Sequence, residues 1–116
     1  MYRMNQVIPK IFRWLFFKKV IRMTTTDAIK NSNATLIDIR EAYELETNGS
    51  IDHAINIPMS SIPEKIEELK QMQKPIVVFC GGGNRAASVM TFLKENGIED
   101  CFNGGGFEDV KQILNS

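Results

Sequence analysis

The run Pro75-Ile76-Val77-Val78-Phe79 is the most strand-like segment of the chain, and it stops at Cys80. An unbroken apolar, β-branched run has no polar face, so as a strand it reads as the buried centre of a parallel sheet. Gly81, Gly82 and Gly83 follow, then Asn84, Arg85 and a helical segment from Ala86. A strand that delivers a thiol into a glycine turn at a helix N-terminus makes a thiolate and an anion cradle together. Successive backbone N–H groups converge on one point, and the helix adds its positive end. Both effects lower the Cys80 pKa below the free value of about 8.5. Glycines suit the loop because converging amides need backbone angles that side chains obstruct. Arg85 can pin the loop or hold an anionic ligand bidentately. The blander reading is a buried, inert cysteine beside a plain turn. It takes the smaller share, because a thiol directly before three glycines and an arginine is poorly placed for packing.

Strands and helices alternate on both sides of this loop. Val20–Met23 reads as a first strand, and Thr24-Thr25-Thr26-Asp27 caps a short helix ending near Asn31. Thr35–Ile39 reads as a second buried strand, with Asp38 and Arg40 at its end. Glu41–Thr47 is helix-like, Asn48–Ser50 a turn and Ala54–Pro58 a short strand closed by proline. Ser60 or Ser61 caps a helix to about Met72, with Ile62, Ile66 and Leu69 on one face. Ala86–Asn96 forms a helix ended by Gly97; Ile98–Phe102 is the last strand, Gly104–Gly106 a tight turn and Phe107–Leu114 the final helix. The expected fold is α/β: a central, mostly parallel sheet of about five strands flanked by helices. Sites in such sheets lie beyond the carboxyl ends of the strands, which puts Cys80, Asp38 and Arg40 on one edge.

Charge divides the chain. Residues 1–23 carry six basic residues and no acidic one, whereas the remainder carries eight basic and fourteen acidic. Residues 1–19 are therefore read as a basic, aromatic leader and 20–116 as the domain, for which no nucleic-acid partner is expected. The leader is too short and too charged to span a membrane and lacks a secretory cleavage site. Ile8, Ile11, Phe12, Leu15 and Phe16 share an arc opposite Lys10 and Arg13, so residues 7–19 could make a peripheral membrane contact. A helix packed on the domain, or a frayed start, is slightly preferred. Two cysteines are too few for a disulfide framework, which points to a reducing, cytoplasmic setting and a core position for Cys101. Without Cys/His clusters, neither a metal nor another cofactor is expected; His53 reads as a turn residue, and the chain as a monomer.

Cys80-Gly81-Gly82-Gly83-Asn84-Arg85 resembles the C-x-x-G-x-R active loop of the rhodanese family of sulfurtransferases. Leu36–Glu41 is similar to that family's strand ending in D-[VI]-R. Glu44, Gly49, Ile51 and Ala54–Pro58 are similar to its segment ending in G-A-I-N-I-P, and Asn103–Phe107 to its closing glycine turn. The resemblance spans Val20 to Leu114. It implies an enzyme whose Cys80 takes a sulfane sulfur from a donor such as thiosulfate, becomes a persulfide, and passes the sulfur to cyanide, a thiol or an acceptor protein. Asp38 and Arg40 would be a supporting pair. Gly81 stands where the family often has arginine or lysine, Ser50 where it often has histidine, and Val110 where tryptophan is common. Related phosphatases place five residues between cysteine and arginine; here four intervene, a smaller ring that suits sulfur better than tetrahedral phosphate. A non-catalytic binding module of the same fold is the other reading, and the joint presence of Cys80, Gly83 and Arg85 weighs against it.

Overall fold

The structure is a computed structural model and describes residues 23–116. Its centre is β3 (Ile76–Cys80), in which all five residues are buried. It lies between β1 (Thr35–Asp38) and β4 (Cys101–Gly106), and β2 (Ile55–Asn56) pairs with the far side of β1. The order is β2-β1-β3-β4 and every pairing is parallel. Alternate residues of the central strands feed two cores. Ile37, Val78 and Cys80 face α3 (Ile66–Gln71) and α4 (Asn84–Glu95), while Leu36, Val77 and Phe79 face α1 (Thr25–Lys30) and α5 (Phe107–Leu114). The remaining helix, α2 (Ala42–Asn48), leads away from the carboxyl end of β1.

Local chemistry sets several boundaries. Thr24 caps α1: its hydroxyl accepts from the Asp27 N–H at 3.0 Å, and the Asp27 carboxylate accepts from the Thr24 N–H at 3.2 Å. Gly97, at φ +87°, closes α4; its N–H donates to Lys94 O and the Ile98 N–H to Leu93 O. These two bonds form a Schellman motif, which a side chain at Gly97 would strain.

Three expectations need correction. The described residues form four strands rather than about five. Val20–Arg22 of the expected first strand lie outside the described residues, as does the leader, and Met23 is not in a strand. The helix expected from Ser60 is instead two 3₁₀ turns, Met59–Ser61 and Pro63–Lys65, followed by α3. Finally, Gly104–Gly106 is strand, not turn, and Ile98–Asp100 precede the strand. Opposite Val78 and Phe79 stand Asn103 and Gly105, leaving Gly104 as a bulge. A Cβ at Gly104 would lie 2.9 Å from Val77 Cγ1 and 3.0 Å from Val110 Cγ2, so the bare backbone lets α5 sit close on the sheet. Among the described residues, no helix is long and apolar enough to cross a membrane.

Candidate active site

Cys80 ends β3 on the same edge as Asp38, whose register partner is Phe79. The loop Gly81–Gly83 then turns the chain into α4, with Gly83 at φ +100°, a conformation that favours glycine. This turn aims the Gly83 N–H at Cys80 Sγ, 2.9 Å away. Burial of Cys80 pushes its thiol pKa up, but the backbone N–H groups of Ala86, Gly83, Gly82 and Arg85, of which that of Gly83 is within hydrogen-bond geometry, outweigh burial and leave it below its ordinary value. Gly82 and Asn84 are exposed at the rim, Asn84 as the first residue of α4.

Arg85 is committed to Glu44 on α2: Nη1 donates to Oε2 at 2.8 Å and Nη2 to Oε1 at 3.0 Å. The Glu41 N–H also donates to Glu44 Oε2, at 2.8 Å. The Arg85 hydrogen bonds, followed by that from Glu41, hold the Glu44 pKa down at about 2. Of the two roles open to Arg85, the structure shows a bidentate bond to a side chain that ties the loop to α2. From the sequence, Glu44 is legible only through the family resemblance, since nothing local marks it as the partner of a residue 41 positions on.

Two further contacts brace the loop from β4. The Asn103 side chain donates to Gly83 O at 3.2 Å and accepts from the Gly105 N–H at 2.8 Å. A Cβ at Gly106 would lie 2.5 Å from Gly81 O, so the two backbones are nested against each other. The Gly106 N–H donates to Asp109 Oδ2 at 2.9 Å, fixing the start of α5 beside them.

Asp38 and Arg40 are both buried. Arg40 Nη2 donates to Asp38 Oδ2 at 2.7 Å and Nε to Oδ1 at 3.0 Å; Nη2 also donates to Gly49 O at 2.9 Å. The guanidinium lies 4.3 Å from the Phe107 ring centroid. The Asn56 side chain donates to both Asp38 O and Arg40 O at 2.9 Å. The pair thus supports the walls around the loop and makes no contact with Cys80 Sγ. A cleft of about 340 Å³ runs beside the loop, lined by Arg40, Glu44, Asn48, Gly81, Phe107 and Glu108.

His53 lies in an exposed turn. Cys101 is buried at the opposite end of the sheet, its Sγ donating to Ile98 O at 3.4 Å, and burial pushes its thiol up. Among the described residues, no group of three or more His, Cys, Asp or Glu side chains could hold a metal ion.

The model of the rhodanese-like domain family matches residues 24–113. The chain belongs to that family. Its similarity to the thiosulfate sulfurtransferase GlpE of Pseudomonas syringae is 33% identity over 82 residues, covering 70% of this chain and 76% of that one. With YtwF of Bacillus subtilis it shares 39% identity over 71 residues, 61% of this chain and 67% of the relative. Among solved structures, a rhodanese-related protein from Thermoplasma volcanium superposes with a TM-score of 0.62 at 33% identity, covering 76% of this chain and 87% of that one. The rhodanese-like chain described here thus has sulfurtransferase relatives, and its fold agrees with that of the rhodanese-related Thermoplasma protein.

Proposed function

We propose that this protein is a sulfurtransferase that carries a sulfane sulfur on Cys80. The observation that carries this reading is the Gly83 N–H aimed at Cys80 Sγ at 2.9 Å, in a loop whose amides hold the thiol pKa below its ordinary value. That arrangement favours the thiolate without a separate general base. The thiolate attacks the outer sulfur of a donor such as thiosulfate; the donor S–S bond breaks and sulfite leaves with the electron pair. The product is a Cys80 persulfide anion, whose outer sulfur extends into the cradle of Gly81–Arg85 and is stabilised by the same amides. In the second step an acceptor thiolate or cyanide attacks that outer sulfur, and Cys80 departs as the thiolate. A thiol of lowered pKa is the better leaving group in this exchange.

The supporting residues have distinct parts in the proposal. Gly83, at φ +100°, lets the loop turn inward after Gly81 and Gly82, Asn84 starts α4, and Arg85 locks the loop to Glu44. Asp38 and Arg40 position the surrounding walls. The decisive experiment is intact-mass measurement after incubation with thiosulfate, which is expected to show one added sulfur that cyanide removes. A Cys80→Ser variant is expected to gain none. Failure of thiosulfate, polysulfide and other sulfane donors alike to load the wild-type protein would overturn the proposal.

A further inference from the structure

Besides its backbone amides the cradle has the Arg85 guanidinium close to Cys80, and each guanidinium at the site is matched by a carboxylate. Both guanidiniums at the site are spent, Arg40 on Asp38 and Arg85 on Glu44. Position 81, directly after the nucleophile, has no side chain, and the flanking cleft reaches it there. The start of α5, which borders the same cleft, carries two consecutive carboxylates. Glu108 lines the cleft, is exposed and forms no ion pair among the described residues. Asp109 is held beside the loop by the Gly106 N–H, and Gly106 is itself nested on Gly81 O. Apart from the paired Arg40, the cation on this side is Lys111, whose Nζ lies 5.7 Å from the Phe107 ring centroid. A persulfide on Cys80 adds one more negative charge, so an incoming thiolate meets a net negative approach. No thiol of the chain can spare it that approach. Cys101, the only other cysteine, pairs with Ile76 at the far end of β3, whereas the register partner of Cys80 is Gly106.

We infer that the acceptor that unloads Cys80 carries a positive charge close to its thiol, as an aminothiol does, and that Glu108 sets this preference. The inference rests on the sulfur-transfer reading. The acceptor thiolate attacks the outer sulfur, the Cys80 S–S bond breaks, and the sulfur leaves as the acceptor's persulfide while Cys80 returns to thiolate. An ammonium group near the attacking sulfur lowers the repulsion of this step and can rest against the Glu108 carboxylate. A carboxylate in the same position raises it.

The test uses the full chain loaded with sulfur, with loading verified by intact mass, and unloads it with cysteamine, 2-mercaptoethanol or 3-mercaptopropionate at low ionic strength. The readout is the ratio of second-order rates for cysteamine and 3-mercaptopropionate. Comparing that ratio between wild type and Glu108→Gln cancels the intrinsic difference between the thiols. Glu108→Gln is expected to reduce the ratio by at least about threefold, and Lys111→Gln to raise it. Glu95→Gln, at the far end of α4, is expected to leave it unchanged, and added salt should compress it in the wild type. A loaded protein whose ratio is the same in wild type and Glu108→Gln, or lower in wild type, overturns this inference alone. A protein that takes no sulfur from any donor overturns the sulfur-transfer reading and this inference with it.

Discussion

Cys80 is placed under opposing demands, since burial disfavours the thiolate while the loop amides favour it, and the amides win. Its alkylation by iodoacetamide should therefore rise with pH through a midpoint below about 8.5, the value of a free thiol. Intact mass should show one adduct on the native protein, because the loop amides hold the Cys80 thiol down while burial pushes that of Cys101 up; equal labelling of both cysteines in the native state would contradict this. Glu44 titrates in a different range. Its pKa falls from 4.5 to about 2 on pairing with Arg85, so the folded state prefers the ionised carboxylate. A depressed acid pKa contributes stability that is present above 4.5 and is lost as the pH falls toward 2. The melting temperature of wild type should thus exceed that of Glu44→Gln at pH 6, with the gap closing between pH 4.5 and 2. Loss of the loop tie should also slow sulfur loading, by roughly tenfold. A gap that persists unchanged at pH 2 would mean that the two side chains do not interact as an ion pair.

Among the elements, β4 decides how firmly the loop is held. Its glycines do two different jobs. Gly104 lets Val77 and Val110 approach, whereas Gly106 lets Gly81 O approach. Gly104→Ala overpacks a core and should lower stability by about 1–3 kcal/mol in urea denaturation, with loading of the folded protein retained. Gly106→Ala pushes on the loop backbone itself, so loading should fall at least about tenfold even where the protein remains folded. Equal loading by the two variants would show that the nesting of Gly106 on Gly81 is dispensable. The same strand explains what the sequence conceals. A glycine cluster signals a turn and a close approach in the same letters, and only the neighbouring Val77, Val110 and Gly81 distinguish them. The apolar runs of β1 and β3 are unambiguous by contrast, because Leu36, Ile37 and Val77–Phe79 need cover on both faces. Their ends therefore place Asp38 and Cys80 correctly on one edge. The Glu44–Arg85 and Asn103–Gly83 contacts depend on tertiary proximity and leave no local pattern.

At the scale of the molecule, the Asp38–Arg40 pair joins parts that are distant in sequence. It links the end of β1 to Gly49, Phe107 and, through Asn56, β2. Asp38→Ala strands a buried guanidinium and should cost about 3–5 kcal/mol in chemical denaturation. A loss below about 1 kcal/mol would mean that water or another acceptor replaces the carboxylate. The positions of the two cysteines carry a consequence of another kind. Four positions along β3 separate Cys80 from Ile76, the register partner of Cys101, roughly 13 Å at the usual rise per residue. A sulfenic acid formed on Cys80 by peroxide therefore finds no thiol of its own chain to close into a disulfide. The domain has no internal fuse. Whether oxidised Cys80 is rescued or lost depends on which external thiol reaches the loop first.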